Sequence, residues 1–303
     1  MLSAGAVILN YNSANDSIRL ANILVNFKSI KKVIIVDNAS TDNSRIQLNQ
    51  VVNSKIKILL NNRNSGYNAG NNIGLKELVE KDSLEICFII NPDVSLSEET
   101  IIEVIENFEK HEDYAVLSSI HDGPGIAEEW QWFDRIDWSI NLLEICTITR
   151  FLQRKFKGKS LGRDRTLEKA KALPKFYEVY GVIGAFFGIR SDILKEIGYF
   201  DEDVFLYWEE IILAEQIQSL GKKIGLLNQV KFEHLHDYSR SSVLKNLQTK
   251  LILFQSYLVV IKKYATLSRT QRLFWIFSTM VKITEAKLVI FILKIINRGR
   301  FIK

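Results

Sequence analysis

Short apolar runs alternate with amphipathic stretches along the first part of the chain. Five runs are rich in valine and isoleucine and have the length of buried strands, at residues 6–10, 32–37, 55–61, 85–91 and 114–120. Residues 16–29 and 97–111 have apolar side chains at helical spacing, and Ser95 or Ser97 is placed to cap the second helix. The alternation predicts an α/β fold with an open, mostly parallel central sheet, right-handed crossovers and flanking helices.

Four of these predicted strands end in a polar residue, and further polar residues follow them. In an open α/β sheet the ligand lies beyond the carboxyl ends of the strands. A single asparagine or aspartate there is ordinary, because both residues commonly start turns. Four together predict one rim of hydrogen-bonding groups that includes two carboxylates. In chain order the rim residues are Asn10, Tyr11, Asn12, Asp37, Asn38, Asn61, Asn62, Asn91, Pro92 and Asp93.

The stretch after the third predicted strand is rich in asparagine and glycine. Residues 60–74 read LNNRNSGYNAGNNIG, with six asparagines and three glycines. Glycine permits positive φ and a close approach of backbone to ligand, and asparagine tolerates left-handed turns while offering a donor and an acceptor. If a helix starts near residues 71–74, its N–H groups point at a phosphate. The spacing fits neither G-x-G-x-x-G nor a P-loop, so these residues predict a cradle for a phosphate or a sugar.

Length and composition are those of a globular protein with one or two domains. The chain has 303 residues, of which 47% are hydrophobic and 25% charged, so a large core is possible. The two cysteines, Cys87 and Cys146, match no CxxC or zinc spacing, which favours a reducing compartment. The apolar run near the N-terminus is shorter than that of a signal peptide and has no basic residues before it, so we interpret it as a strand.

Positive charge is concentrated in two segments. Residues 150–175 carry a net charge of +8 and residues 243–303 one of +11, although the whole chain carries only +5. Both segments mix aromatic and aliphatic residues with Lys and Arg, and lysines interrupt residues 270–297, so that no uncharged span of about 20 residues remains. This pattern predicts a basic amphipathic helical segment on an anionic membrane surface, with packing on the sheet or dimerisation as the alternative. No nucleic-acid-binding motif accompanies the charge.

A set of ordered motifs resembles the inverting family-2 glycosyltransferases, in particular bacterial rhamnosyltransferase-like members. The family has the GT-A fold, which is Rossmann-like. The resemblance covers about residues 5–240 and implies a catalytic domain over residues 1–240, with a basic and aromatic insertion at about 121–178. Residues 241–303 would then be the membrane-associating or packing segment. The matching stretches are VILNYNS (7–13), VDNASTDNS (36–44), NSGYNAGNNIG (64–74), NPDV (91–94) and GYFDEDVFLYWEE (198–210).

The resemblance implies a nucleotide-diphosphate sugar as donor, with a UDP- or dTDP-sugar expected. It implies that Asp37 meets the nucleotide base. The loop departs from the family pattern at Asn68 and Ala69. Gly184 lies in a small-residue segment that resembles the one facing the donor sugar, although a buried strand explains that segment equally well. The implied donor-binding residues are Asn10, Tyr11, Asn12, Asp37, Asn38, Asn64, Gly66, Gly70, Asn72, Asn91 and Gly184.

The NPDV stretch stands where the family has its metal-binding D-x-D motif. Asn91 occupies the first position, so the resemblance implies Asp93 as a ligand of a divalent cation, Mg²⁺ or Mn²⁺. Such an ion is held by one or two carboxylates and by substrate phosphates, and it neutralises the departing diphosphate. In some relatives a later histidine completes the site. His234 lies in the matching place here, with His236 as the alternative.

The acidic pair Glu209-Glu210 stands at the family's catalytic acids. The resemblance implies that Glu210 is the general base, which takes the proton of the acceptor hydroxyl as that oxygen attacks the sugar carbon. It also implies that Trp208 contacts the acceptor. Glu210 replaces the aspartate usual in the family, and Ile212 and Gln216 occupy positions where relatives often have Asp and Arg.

We therefore expect a hexosyltransferase that transfers a sugar to a glycan or lipid-linked acceptor during bacterial surface polysaccharide synthesis. Its expected location is peripheral, on the cytoplasmic face of the membrane. One alternative is a nucleotidyltransferase, but AVILNYNSAND lacks the glycine and arginine of a triphosphate-binding loop. The other is a non-catalytic sugar- or lipid-binding scaffold with the same fold. Products distinguish the three: a transferred sugar, released pyrophosphate, or none.

Overall fold

A computed structural model describes most of the chain, with three internal gaps. The insertion expected at about 121–178 falls largely outside the described residues, as do His236 and Cys146. Two compact units are present. The first consists of Met1–Arg135, Gly162–Glu202 and Glu209–His236, and the second of Ile136–Leu161, Asp203–Trp208 and Asp237–Lys303. The described residues are 1–122, 131–135, 167–234 and 243–300.

The first unit contains a nine-stranded sheet with helices packed against it. Its spatial order is β3-β2-β1-β4-β8-β6-β9-β5, and β7 pairs with β9. The strands are β1 Ala4–Asn10, β2 Ile30–Asp37, β3 Ile56–Leu60, β4 Ile86–Ile90, β5 Val94–Leu96, β6 Tyr114–His121, β7 Phe176–Val179, β8 Phe186–Arg190 and β9 Lys223–His234. The helices are α1 Ala14–Leu24, α2 Ser44–Leu48, α3 Tyr67–Lys76, followed by one π-helical turn at Glu77–Lys81, α4 Glu98–Lys110, α5 Leu167–Ala172, α6 Ser191–Glu196 and α7 Glu209–Ser219.

All five strands predicted from the apolar runs are present, as β1 to β4 and β6. The central strands are buried on both faces: every residue of β4 is buried, as are the last five of β2. β3 lies at the edge of the sheet and is only half-buried, with Leu60 exposed, so the prediction of a buried strand is wrong there. β3, β2, β1 and β4 are parallel, as predicted. Beyond β4 the sheet is mixed, since β8 is antiparallel to both β4 and β6, and β5 and β7 are antiparallel to β9. The mostly parallel arrangement thus holds for one half of the sheet.

The predicted helices are present with different bounds. α1 ends at Leu24, five residues before the predicted end at residue 29. α4 starts after Ser97, whose hydroxyl accepts a hydrogen bond from the Thr100 backbone N–H at 3.3 Å, so Ser97 and not Ser95 is the cap.

The predicted helix start near residues 71–74 is wrong, because α3 already begins at Tyr67. Gly66, with φ of +87°, turns the chain directly into the helix. Gly70 then permits close packing on β1, since a Cβ there would lie 2.6 Å from Leu9 Cδ1. The asparagines that resembled loop residues therefore lie in the first turns of a helix.

Two long helices, α8 Val243–Lys263 and α9 Arg269–Arg300, pack against each other in the second unit. Their buried side chains include Tyr257, Val260, Trp275 and Ile290. Within the part of the chain that the structure describes, no helix combines the length and the apolar character that a membrane crossing requires.

Candidate active site

The polar residues at the carboxyl ends of β1 and β2 form a connected network. Asn10 and Asp37 are register partners in the parallel pair, and both side chains are fully buried. The Asn10 amide donates to Asp37 Oδ1 at 2.9 Å, and the Asn38 backbone N–H donates to the Asn10 carbonyl at 2.8 Å. Parallel strands end at the same edge of a sheet, so the sequence alone places these groups together.

Asp37 already has strong partners within the protein. Arg45, from α2, donates its Nε to Asp37 Oδ2 at 2.9 Å and also reaches the Asn61 carbonyl. The Ser40 backbone N–H donates to the same carboxylate oxygen at 3.3 Å. Sequence reasoning missed Arg45. The only signal for it was a basic residue eight positions after a buried aspartate.

The loops after β1, β2 and β3 are tied together by asparagine side chains. Asn38 donates to Asn64 Oδ1 at 3.0 Å and accepts from Asn61 Nδ2 at 3.0 Å. Asn12, with φ of +56°, accepts from the Thr41 backbone N–H at 2.8 Å. Tyr11 is 45% exposed. Residues 11–12 are therefore exposed to solvent, whereas Asn10, Asp37 and Asn38 below them are buried and hydrogen-bonded to one another or to neighbouring loops.

The asparagines of α3 hold the segment that precedes α7. Asn72 donates to the Phe200 carbonyl at 2.9 Å and accepts from the Phe200 backbone N–H at 3.1 Å, and it also donates to Glu202. Asn68 donates to the Asp201 carbonyl at 2.8 Å. Both side chains are buried. The predicted donor contacts of Gly70 and Asn72 stay predictions, but packing and these bonds give both residues another physical role.

Asp93 and His234 form the pair that the sequence predicted for a cation. Asp93 precedes β5, and β5 pairs with β9 so that Val94 lies opposite His234. This brings His234 Nε2 to 3.3 Å from Asp93 Oδ1. Asn91 lies nearby in the chain, where its N–H donates to the Ala185 carbonyl at 2.8 Å. No group of three or more His, Cys, Asp or Glu side chains suited to a metal occurs among the described residues.

This pair fits a cation that the substrate helps to hold. Mg²⁺ is usually bound by one or two protein ligands together with phosphates and water, and Mn²⁺ accepts the same oxygen ligands and also imidazole. One carboxylate oxygen and one imidazole nitrogen therefore suffice only when a phosphate completes the shell.

The two glutamates at the start of α7 line a pocket. Gly184 lies beside them: its N–H donates to the Glu210 carboxylate, and a Cβ at this position would lie 3.2 Å from Glu210 Oε1. The Tyr67 hydroxyl donates to the Gly184 carbonyl, which connects the first residue of α3 to the same pocket. The pocket residues are Tyr67, Asn68, Val182, Gly184, Phe187, Phe200, Glu209, Glu210, Leu213 and Gln216.

The environment of the glutamates disfavours their charged forms. Burial, followed by the neighbouring charge of Glu210, holds the pKa of Glu209 well above its usual value. Burial also raises the pKa of Glu210, against the hydrogen bond from the Gly184 N–H, which favours the anion. Oε2 of Glu209 is closed to solvent and has no hydrogen-bond partner among the described residues. Two adjacent carboxyl groups of this kind are typical of a site that exchanges protons.

Trp208, predicted to contact an acceptor, belongs to the second unit. Its ring packs on that of Tyr257 with centroids 4.8 Å apart, and its backbone has φ of +72°. The acceptor contact stays a prediction.

Comparisons with known proteins agree with this architecture. The sequence profile of the family described as glycosyl transferase family 2 matches residues 6–198. The low-salt glycan biosynthesis hexosyltransferase Agl10 of Haloferax volcanii is 23% identical over 231 residues. That alignment covers 75% of this chain and 66% of Agl10, so the chain spans slightly less than two thirds of that relative.

Solved structures with the same fold are also found. A crystal structure of GalNAc-T7 with UDP, GalNAc and Mn²⁺ has a TM-score of 0.59 at 13% identity, over 86% of this chain and 48% of that one. The mannosyltransferase PcManGT from Pyrobaculum calidifontis, in complex with GDP-Man and Mn²⁺, has a TM-score of 0.56 at 12% identity, over 100% of this chain and 81% of that one. The GT-A fold expected from the sequence motifs is confirmed.

Proposed function

The chain belongs to glycosyl transferase family 2, and from this premise we propose that it is a metal-dependent, inverting hexosyltransferase. The proposed donor is a nucleotide-diphosphate sugar, and the proposed acceptor is a hydroxyl group of a glycan or of a lipid-linked glycan. The observation that carries the proposal is the pair of adjacent carboxyl groups, Glu209 and Glu210, lining one pocket. Displacement at a sugar carbon requires such a group to take the proton of the attacking hydroxyl.

Glu210 is the proposed base. The Gly184 N–H holds its carboxylate, and burial raises its pKa, so the anion is a stronger base than an exposed carboxylate. The proton passes from the acceptor oxygen to a Glu210 oxygen while that acceptor oxygen bonds to the anomeric carbon and the diphosphate leaves. One displacement inverts the configuration at that carbon. Glu209 supports Glu210 by limiting access of water and by adding negative charge when ionised.

The donor is proposed to bind across the polar edge of β1 to β3. Exposed Tyr11 and Asn12 offer direct contacts to the nucleotide, and Asn91 and Gly184 are proposed to lie near the sugar. Seven buried or half-buried residues are proposed to act indirectly, by holding the loops and, for Asn72, residues 200–202 in the shape that receives the donor. These proposed supporting residues are Asn10, Asp37, Asn38, Asn64, Gly66, Gly70 and Asn72.

Asp93 and His234 would hold the divalent cation. When bound, Mg²⁺ or Mn²⁺ neutralises the charge that develops on the departing diphosphate. The 3.3 Å separation of the two ligand atoms supports this assignment, as does the presence of Mn²⁺ in the complexes of GalNAc-T7 and PcManGT.

The biological setting of the proposal is bacterial surface polysaccharide synthesis, with rhamnosyltransferase-like chemistry on a UDP- or dTDP-sugar. The similarity to Agl10, a hexosyltransferase of glycan biosynthesis, supports a role in building a glycan. In the proposed organisation, residues 1–240 are catalytic and residues 241–303 attach the enzyme peripherally to the cytoplasmic face of a membrane.

One face of α9 supports membrane attachment. Six large apolar side chains on it are each more than half exposed: Leu273, Phe277, Met280, Leu288, Phe291 and Ile295. Their spacing of three, four or eight residues places them on one stripe. The segment 243–303 has twelve basic residues and one acidic residue. An apolar stripe within a basic segment matches an anionic lipid surface better than a second copy of the same basic segment.

The function is tested by thermal unfolding with UDP, dTDP, GDP and CDP, each with and without Mg²⁺ or Mn²⁺. A nucleotide at about a hundredfold excess over its Kd stabilises the protein by about 2.7 kcal/mol, and we expect one nucleotide to do so only with metal. Asp93→Ala should abolish the metal-dependent part, and Asp113→Ala, which removes an exposed partner of Lys223, should not. A shift with none of the nucleotides contradicts the proposal and favours a binding scaffold, whereas pyrophosphate release from a nucleoside triphosphate indicates a nucleotidyltransferase.

Flotation with lipid vesicles tests the attachment separately. The protein should float with vesicles that contain phosphatidylglycerol and not with pure phosphatidylcholine, and Phe277→Glu with Phe291→Glu should abolish flotation. Equal flotation with both lipids, or dimerisation through α9, would remove the membrane assignment.

A further inference from the structure

Tyr67, the first residue of α3, lines the pocket of the two glutamates, and the sequence motifs assigned it no role. Its hydroxyl donates a hydrogen bond to the Gly184 carbonyl. The Gly184 N–H donates in turn to the Glu210 carboxylate. The backbone of Gly184 therefore connects the two side chains, with one hydrogen bond on each side of its Cα.

Gly184 occupies a position that a larger residue would disturb. A Cβ there would lie 3.2 Å from Glu210 Oε1 and 3.5 Å from the Tyr67 hydroxyl oxygen. Glycine therefore allows the carboxylate to approach the backbone closely, but it also has more conformational freedom than any other residue. An N–H that holds a carboxylate in one place needs restrained dihedral angles on both sides of its Cα. The hydrogen bond from Tyr67 provides this restraint on the carbonyl side.

The backbone that carries Tyr67 is itself held in place. Asn68 donates to the Asp201 carbonyl at 2.8 Å. Asn72 donates to the Phe200 carbonyl at 2.9 Å and accepts from the Phe200 N–H at 3.1 Å. These bonds fix the first turns of α3 against a neighbouring segment of the same unit. The Tyr67 hydroxyl is therefore presented to Gly184 from a rigid helix start.

The Tyr67 hydroxyl stays protonated and can act only through its hydrogen bond. Burial, followed by the charges of Glu209 and Glu210, raises the pKa of Tyr67 well above its usual value. Among the described residues that line the pocket, the titratable groups are Tyr67 on α3 and the two glutamates on α7, and the others are uncharged. A change of protonation in this pocket near neutral pH therefore belongs to the glutamates.

We propose that Tyr67 is a positioning residue for Glu210: its hydroxyl holds the backbone of Gly184 so that the Gly184 N–H is directed at the Glu210 carboxylate. In this role Tyr67 acts through Gly184 and does not itself exchange a proton. The inference rests on the proposed function for the role of Glu210 as the base. The restraint on Gly184 does not depend on it.

This role predicts a change in the pH dependence of turnover. The hydrogen bond from the Gly184 N–H favours the anion of Glu210. In Tyr67→Phe that bond weakens, so the pKa of Glu210 rises further. Because only the ionised carboxylate can take a proton, the acid limb of the pH profile of kcat should move to higher pH.

The size of the kinetic effect should match one lost hydrogen bond. At neutral pH Tyr67→Phe should lower kcat about fivefold. The KM for the donor should change by less than about twofold, since the bond acts on the base and not on nucleotide binding. A role confined to stability would leave kcat and the acid limb unchanged at temperatures where the variant is folded.

The kinetic experiment compares wild type with Tyr67→Phe, Glu210→Gln, the double variant of these two, and Tyr199→Phe. The last is the matched control, because it also removes only a hydroxyl, one that donates to Glu80 Oε1 at 2.8 Å. Release of nucleoside diphosphate from UDP-glucose, dTDP-rhamnose and GDP-mannose is followed with Mn²⁺ over a range of pH, with water as the acceptor.

Nuclear magnetic resonance gives a second readout that needs no turnover. Glycine is labelled selectively with ¹⁵N, and the Gly184 amide signal is identified by its loss in Gly184→Ala. The shift of this signal with pH reports the ionisation of the carboxyl group that the amide contacts. The midpoint of the titration should lie at higher pH in Tyr67→Phe than in wild type, and it should be unchanged in Tyr199→Phe.

The double variant shows whether Tyr67 acts through Glu210. In the Glu210→Gln background Tyr67→Phe should lower kcat no further, because residues that act as one unit are not additive. A further fivefold loss there overturns the inference, as does an unmoved titration midpoint or an equal effect of Tyr199→Phe. If the wild type hydrolyses none of the donors and no nucleotide stabilises it, the proposed function fails. The titration of the Gly184 amide then still decides whether Tyr67 acts on Glu210.

Discussion

Two groups of polar side chains in the first unit differ in how completely the protein satisfies them. At the carboxyl ends of β1 and β2, Asp37 accepts hydrogen bonds from Asn10, Ser40 and Arg45. At the start of α7, Glu209 has a buried carboxyl oxygen with no partner among the described residues. Asp37 and Oε2 of Glu209 are both removed from water, but only Asp37 is compensated. A compensated carboxylate stabilises a scaffold, whereas an uncompensated one is held ready for a substrate or a proton.

The charges around the two groups also differ: Asp37 has an opposite charge beside it, whereas Glu209 has a like charge beside it. Arg45 gives the buried charge of Asp37 an opposite charge at 2.9 Å. Glu209 instead faces the charge of Glu210 in addition to burial, and burial first and this charge second raise its pKa. Substitutions in the first group should therefore affect mainly folding, and substitutions in the second mainly activity. The three predictions below test this division.

The largest effect is expected for Glu210→Gln. Glutamine keeps the shape and the hydrogen bond to the Gly184 N–H but cannot take a proton, so kcat should fall by about a thousandfold. The measurement is release of nucleoside diphosphate together with nucleotide binding, which should stay within threefold of wild type. Glu215→Gln is the matched control on the same helix, where the carboxylate accepts from the Tyr180 hydroxyl. Turnover near the wild-type rate in Glu210→Gln would show that Glu210 is not the base.

Asp37→Ala should act on stability. It leaves the buried Asn10 amide and the Ser40 N–H without their acceptor, which costs about 2 kcal/mol. Arg45 is 38% exposed, so water can hydrate its guanidinium in the variant. Urea unfolding measures this cost. Asp16→Ala is the control, because its 3.9 Å contact with Arg19 is exposed and such pairs contribute at most about 1 kcal/mol. If Asp37→Ala retains wild-type stability but no longer binds any nucleotide, the two groups are not divided as described.

The difference between the groups also explains what the sequence could predict. The network at the strand ends follows from periodicity and topology, because buried parallel strands that end in Asn10 and Asp37 must bring them to one edge. The pair at Glu209 and Glu210 was identified by its motif, but its burial and the effect on its pKa depend on Gly184 and Tyr67, which are distant in sequence.

Other features had no local signal. Local propensity indicates a loop at residues 64–74, since asparagine disfavours helix interiors. Buried hydrogen bonds from Asn68 and Asn72 to residues 200–202 reverse that preference in the folded protein. The antiparallel placement of β8 between β4 and β6 is a tertiary pairing that its own residues do not specify. Likewise, nothing in the side chains of Tyr207 and Trp208 indicates positive φ.

The smallest effect is expected for Glu209→Gln, and it depends on pH. A carboxyl group whose pKa is raised by folding stabilises the protein at low pH, and this contribution is lost as the pH rises above the pKa of the unfolded chain. Glutamine has no proton to lose, so the variant should match wild type near pH 4.5 and be more stable than wild type at pH 8, by about 1 kcal/mol. Urea unfolding at the two pH values measures the difference, with Glu106→Gln as an exposed control that pairs with Lys110. An equal gain at both pH values would mean that packing, and not the buried charge, sets the cost of Glu209. A gain confined to high pH would show that the protein retains a destabilising carboxyl group beside Glu210, as expected if selection acts there on chemistry more than on stability.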